Sequence, residues 1–259
     1  MNYLSEERRF RFPDPRGVSN HGLVAVGGNL SPGMLLSAYE QGIFPWYDED
    51  PIAWFSPNPR FILRPDSLHI SRRLQRFLRN RTFTVTFDRA FGTVIEACRR
   101  APRRGQDGTW ITNEMVEAYT ELHRLGHAHS VEVWSAPDTS VPLPAGGETE
   151  LIGGLYGVAR GRMFAGESMV SRVSGAGKAA FVALAEYLYR NDVPLLDCQV
   201  HTTLLETFGA YEVPRDEYLR ELSPLIAQPE LPGDWSGESA DQYIDSAISR
   251  ISSGNRCPR

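Results

Sequence analysis

Apolar runs in which single polar residues stand out fill the stretch from Leu151 to Val200. LIGGLYGVAR and RMFAGESMVS read as two strands joined by a tight turn at Arg160-Gly161, because glycine reaches left-handed backbone at little cost. Helical spacing follows from Ala176 to Arg190, and PLLDCQV reads as a short apolar third strand. Three polar residues interrupt these runs: Glu167 on the second strand, then Asp197 and Gln199 on the third. Strand side chains alternate faces, so Asp197 and Gln199 are expected to point the same way. A carboxylate and an amide buried there must find partners or cost desolvation energy. A satisfied core network would explain them. Perturbed acids also gather at functional sites, which makes these three the catalytic candidates.

Upstream, Gly22 to Val26 predicts a short strand among prolines and glycines. Ser31 before Pro32 marks a helix start, running through Tyr39 to a left-handed C-cap at Gly42. A loop-like stretch rich in Trp46, Tyr47, Trp54 and Phe55 suits a small core or a platform for a nucleotide base. SRRLQRFLRN predicts an amphipathic helix, with Leu74, Phe77 and Leu78 on one face and Arg72, Arg73, Arg76 and Arg79 elsewhere. Thr82 to Phe87 alternates as a strand, and Asp88 is expected to cap a helix reaching Arg100. Thr112 or Asn113 opens a helix ending at Gly126, before the strand HAHSVEVW. Residues 135–150 lack apolar periodicity and predict an exposed loop. Beyond Pro224 the chain is polar, with a weak helix near Ala240 to Ile251, and is expected to be a peripheral appendage.

With 259 residues the chain can bury a substantial core, and no apolar run approaches a membrane span. The polar start MNYLSEERRF does not read as a signal peptide. Cys98, Cys198 and Cys257 are few, odd in number and not in metal spacing, which suits a reducing cytoplasm. His127 and His129 stand two apart without further ligands in matching spacing, so no metal is expected. Net charge is −5, yet Arg60 to Arg104 holds twelve arginines against Asp66, Asp88 and Glu96. That asymmetry points to a polyanionic partner meeting one face, and the arginine helix at 71–80 is the candidate phosphate surface. Arg172 to Gly177 has the R-x-x-G-x-G spacing with which acetyltransferases cradle a pyrophosphate, although a glycine-eased turn explains it more simply.

GLVAVGGNLSPGMLLSAYEQGIFPW, WFSPNPRFIL, SLHISRRLQRF, GTWITNEMVEAYTELHRLGHAHSVEVW, GGLYGVARGRMFAGESM and LLDCQV occur in that order. Together they resemble the leucyl/phenylalanyl-tRNA–protein transferase family, from about Phe12 to about Leu222. The resemblance implies an α+β fold: a small N-terminal α+β domain, placed at 1–64, then an acetyltransferase-like (GNAT-type) catalytic domain, placed at 65–224. The polar tail would occupy 225–259, and residues 135–150 look like an insertion. The implied activity moves Leu or Phe, and Met less well, from aminoacyl-tRNA to acceptor proteins with N-terminal Arg or Lys, marking them for N-end rule degradation. The implied enzyme is cytoplasmic, without metal or cofactor, and is expected to be a monomer.

An amine attacking an activated ester needs orientation, a proton route and oxyanion stabilisation. By the resemblance, Gln199 accepts a hydrogen bond from the amine, Asp197 orients and polarises the amide, and Glu167 binds the cationic acceptor end or the terminal ribose. Leu155, Phe164, Met169 and Leu196 are the candidate amino-acid pocket. Trp46 and Trp110 would stack the terminal adenosine, and Arg72, Arg76 and Arg79 would contact tRNA phosphates. The chain departs from the family after DCQV, where Thr202 and Leu204 replace the usual Asn and His. Thr202, with its shorter hydroxyl, is then the candidate contact to the acceptor peptide. Two alternatives stand beside this reading: a coenzyme A-dependent N-acyltransferase resting on Arg172 to Gly177, and a non-catalytic tRNA-end binder. The basic helix and paired tryptophans argue against the first, and the retained Glu167, Asp197 and Gln199 against the second.

Overall fold

The fold is built on two sheets, seen in a computed structural model that describes residues 3–47, 50–101, 111–135, 150–238 and 240–253. The N-terminal part contributes β1 (Leu23–Val26), α1 (Pro32–Glu40), β2 (Phe44–Pro45) and β3 (Ala53–Phe55). Its three strands form a small antiparallel sheet in the order β1-β3-β2. Next come β4 (Arg60–Leu63), α2 (Arg72–Arg79), β5 (Phe83–Phe87), α3 (Phe91–Arg100), α4 (Asn113–Arg124) and β6 (Ala128–Ser135). The chain continues with β7 (Leu151–Arg160), β8 (Met163–Ser171), α5 (Ala176–Arg190), β9 (Leu195–Gln199), α6 (Thr203–Glu206), β10 (Tyr211–Val213), α7 (Arg215–Ile226) and α8 (Ala240–Ser252). The seven-stranded sheet runs β10-β4-β9-β8-β7-β6-β5. The protein is thus α+β with a small N-terminal domain.

Every neighbouring pair in the large sheet is antiparallel except β8 and β9, which are joined through α5. A parallel pair needs such a crossover, and the Ala-rich α5 is buried on nearly every side where it crosses. Alternation divides the core. Phe61, Leu155, Phe164 and Leu196 face α5 and α8, while Ile62, Tyr156, Ala165 and Leu195 face α1, α3, α4, α7 and the small sheet.

Several local expectations are corrected by tertiary contacts. Ser31 occupies the N-cap of α1, but its hydroxyl accepts from the Leu4 amide and donates to Asn29 instead of capping. Asp88 is not a cap: its backbone is left-handed, and its carboxylate accepts from the amides of Ser130 and Trp235 and meets His129 at 2.7 Å. Glu132 of β6 takes over, accepting the Ala90 amide at the head of α3. Nor is the segment beyond residue 225 a peripheral tail. Trp235 is fully buried and stacks on His129 at 3.8 Å, and Ile244 and Ala247 are buried where α8 packs on α5. A helix that looks weak by itself is stabilised here by burying one apolar face. The arginine excess is also partly consumed internally. Arg60 pairs with Asp197, Arg64 with Glu221, Arg81 with Asp245, and Arg99 and Arg100 with Glu96.

Candidate active site

Strands β8 and β9 pair only from Met163 with Leu195 to Ala165 with Asp197. Beyond that point they separate, and a cavity of about 470 Å³ opens between them, lined also by Phe44, Pro45 and Trp46 of the N-terminal part. Two irregularities aim side chains into it. In the β7–β8 ladder Tyr156 opposes Ser168 and Gly157 opposes Gly166, which leaves Glu167 as an extra residue. In the β4–β9 ladder Phe61 opposes Gln199 and Ile62 opposes Asp197, which skips Cys198. Such bulges re-aim side chains that simple alternation would send elsewhere. Gln199 itself has φ +63°, in the left-handed region that non-glycine residues rarely enter.

Glu167 and Gln199 meet at the cavity wall, the Gln199 amide Nε2 donating to Glu167 Oε1 at 2.7 Å. Behind them, the Tyr119 hydroxyl donates to Glu167 Oε2 at 3.1 Å, and the Tyr39 hydroxyl lies 2.5 Å from that of Tyr119. Burial pushes the Glu167 carboxyl up to about 7, against hydrogen bonds from Tyr39, Gln199 and Tyr119 that favour the charged form. Burial and the adjacent Asp197 also push the Cys198 thiol well up, so this cavity-lining sulfur stays un-ionised.

Asp197 is placed differently from the expectation that it stands beside Gln199 as an active-face acid. It does not line the cavity. Arg60 grips it in a bidentate pair at 2.8 and 2.6 Å, and the Tyr218 hydroxyl donates to it at 2.8 Å. It accepts the backbone amide of Gln199 at 2.9 Å, not the side-chain amide. Asp197 therefore fixes the left-handed backbone that presents Gln199. Arg60 was missed because its partner lies 137 residues away, although an arginine inside the apolar run RFIL was a visible signal.

Of the four apolar pocket candidates, Leu155, Met169 and Leu196 line the cavity, together with Phe181 and Leu184 of α5 and Leu204 and Leu205 of α6. Phe164 does not: it is fully buried against Trp235, with ring centroids 5.9 Å apart. Trp46 lines the same cavity and is 42% exposed. Trp110 lies outside the described residues, as do 136–149, most of the predicted loop. Thr202 lines the cavity and caps α6, accepting the Leu205 amide. His127 and His129 are engaged with Glu6 and Asp88.

Arg72, Arg73 and Arg76 of α2 are exposed, and none forms an ion pair among the described residues. Arg79 is exposed and donates to Ser252. The glycines of Arg172 to Gly177 have packing duties. Gly175 has φ +96°, and a Cβ there would stand 3.0 Å from the Phe77 ring. The Gly177 amide is taken by Ser171 Oγ at 2.8 Å, leaving it no longer available to a phosphate. The simpler reading of that motif holds.

Two family models match this chain: leucyl/phenylalanyl-tRNA protein transferase over residues 62–223, and the N-terminal domain of the same family over residues 28–58. The chain belongs to this family. Among proteins named leucyl/phenylalanyl-tRNA–protein transferase, one from an Anaeromyxobacter species is 50% identical over 236 residues, covering 91% of this chain and 95% of that protein. One from Anaeromyxobacter dehalogenans is 51% identical, covering 88% and 94%. Another, from Xanthomonas axonopodis pv. citri, is 50% identical, covering 83% and 82%. Glu167 and Gln199 fall within the stretch matched by the transferase family model, and Phe44, Pro45 and Trp46 of the same cavity within the N-terminal match. No helix among the described residues is long and apolar enough to cross a membrane.

Proposed function

We propose that the protein transfers Leu or Phe, and Met less well, from aminoacyl-tRNA to the N-terminal Arg or Lys of acceptor proteins, which marks them for degradation. The observation that carries this reading is the Glu167–Gln199 pair set in the wall of a mostly apolar cavity of about 470 Å³. Leu155, Met169, Leu196 and Phe181 receive the amino-acid side chain; burying a Leu or Phe there is worth roughly 1.5–3 kcal/mol, and the adaptable Met accepts both shapes. The Gln199 side-chain oxygen, left over once its nitrogen donates to Glu167, accepts a hydrogen bond from the attacking amine. Glu167 attracts the cationic acceptor end. The terminal adenosine stacks on Trp46, and Trp110 is the second candidate. Thr202 keeps its hydroxyl proton for the acceptor backbone while its oxygen caps α6. The enzyme works as a cytoplasmic monomer.

The test offers Leu-charged tRNA with an Arg-initiated peptide, beside acetyl-coenzyme A with the same peptide. Transfer of leucine alone supports the reading, and acetyl transfer alone removes it. Gln199→Ala is expected to lower the single-turnover rate about a hundredfold or more, with tRNA affinity nearly unchanged. A near-normal rate would place the chemistry elsewhere.

The tRNA acceptor end runs over α2. Affinity should fall steeply with salt, and Arg72→Ala and Arg76→Ala should each flatten the log–log slope by about one unit. Slopes unchanged in both variants would take tRNA off that face.

A further inference from the structure

The carboxylates nearest the cavity are held in opposite ways. Asp197 already accepts from Arg60, Tyr218 and the Gln199 amide, and its charge is matched by a guanidinium. Glu167 forms no ion pair among the described residues, lines the cavity, and is hydrogen-bonded by neutral groups, Gln199 and Tyr119 with Tyr39 beside them. Its two oxygens retain lone pairs for a proton. Among the described residues, no other cavity group fits that task. A glutamine amide is not a base, the Cys198 thiol is held un-ionised by burial, and His201 lies outside the cavity beside Glu206.

We propose that Glu167 is the proton acceptor for the attacking amine, and that Tyr119, with Tyr39 behind it, is the positioning group that sets its basicity. The inference rests on the transferase reading and adds the proton route to it. The neutral α-amine attacks the ester carbonyl and the C–N bond forms. One N–H proton passes to Glu167. As the tetrahedral intermediate collapses, the C–O bond to the ribose breaks and the proton moves on to the ribose oxygen. The products are an amide, uncharged tRNA and the restored carboxylate.

The tyrosine pair suits a group that changes charge twice in each turnover. Both hydroxyls are fully buried, Tyr39 on α1 and Tyr119 on α4, so bulk water does not set their orientation. A hydroxyl donates or accepts by rotating one bond, so Tyr119 serves the carboxylate and the protonated acid alike, with Tyr39 receiving or returning the hydrogen bond at 2.5 Å. Other groups also bear on Glu167: Asp197 raises its affinity for a proton, and Tyr156 of β7 shares the cavity wall. The Asp197 charge is in turn countered by Arg60 and hydrogen-bonded by Tyr218. A carboxyl poised at about 7 stands close to an α-amine of ordinary pKa, about 8, which suits it to exchange a proton with that amine near neutrality.

The experiment is the ratio of Tyr119→Phe to wild-type single-turnover rates from pH 6.5 to pH 9, with the same charged tRNA and peptide. The amine's own ionisation cancels in that ratio. Losing one O–H donor to the carboxylate raises its pKa, so the variant is expected to be slower by about tenfold at pH 6.5 and near wild-type at pH 9. A ratio that does not change with pH overturns the proposal. Tyr39→Phe should give a smaller shift of the same sign, and it carries the test alone if Tyr119→Phe does not fold. Glu167→Gln should be slow at every pH in the range, and a near-normal rate for it also overturns the proposal. Wild-type protein that transfers no leucine would instead sink the underlying transferase reading.

Discussion

Arg60→Ala is expected to cost the fold about 3–5 kcal/mol, because it leaves the Asp197 carboxylate buried without its cation. Both side chains are 1% exposed, so water cannot replace the guanidinium without opening the core. For a chain of this length the loss corresponds to a fall of roughly 10 °C in Tm, readable by thermal unfolding. Activity should fall with it, since Asp197 holds the Gln199 amide and with it the left-handed backbone at the cavity wall. Combining Arg60→Met with Asp197→Leu separates the two effects. Replacing a buried ion pair by apolar residues is often neutral for stability, so much of the Tm should return. The transfer rate should not, because an apolar side chain gives Gln199 no acceptor. A single Arg60→Ala variant as stable as wild type would mean that the pair does not hold this part of the sheet.

The C-terminal segment should be as costly to lose. Trp235→Ala removes a fully buried ring that stacks on His129 at 3.8 Å and lies 4.4 Å from the Tyr187 ring, centroid to centroid. A loss of about 3–5 kcal/mol is expected from truncating such a side chain. Ending the chain after Glu230 goes further. It strips the cover from α5 and removes Asp241, whose carboxylate accepts the Val85 amide at the edge of the large sheet. It also removes Arg250, the cation that meets the buried Glu186 at 2.8 Å. The shortened protein is expected to be insoluble or unfolded, measured by yield and circular dichroism. A truncated chain that unfolds at the wild-type temperature would show that the segment is an appendage after all.

Much of the architecture was legible in the sequence. The strands of 151–171, the helix 176–190 and the arginine helix are local objects, set by apolar period and glycine placement, and the structure has them within a residue or two. Gly42 and Gly161 do take the left-handed backbone that their turns require. The family was legible too, because its motifs are long and ordered, and the approach of Glu167 to Gln199 was within reach once both stood out as polar residues on buried strands.

What the sequence could not supply were relations between distant segments. Alternation put Asp197 and Gln199 to one use; a bulge at Cys198 and a positive φ at Gln199 separate their roles, and neither carries a glycine or proline to announce it. Phe164 was a pocket candidate because it is apolar and shares a strand with Glu167. The bulge at Glu167 does bring Phe164 and Met169, five residues apart, to the same face, but Phe164 sits further along the strand and is packed in the core against Trp235. Charge counting cannot tell an arginine that pairs inside from one that meets a partner, since Arg60 and Arg72 look alike until Asp197 is brought to one of them. The helix at 240–252 had a readable apolar face but no readable partner, so its polar surroundings made it look peripheral. Periods of two and 3.6 residues are written in the chain because they follow from backbone geometry. Bulges, ion pairs and the docking of remote segments depend on packing between residues far apart in sequence, and only the tertiary structure decides them.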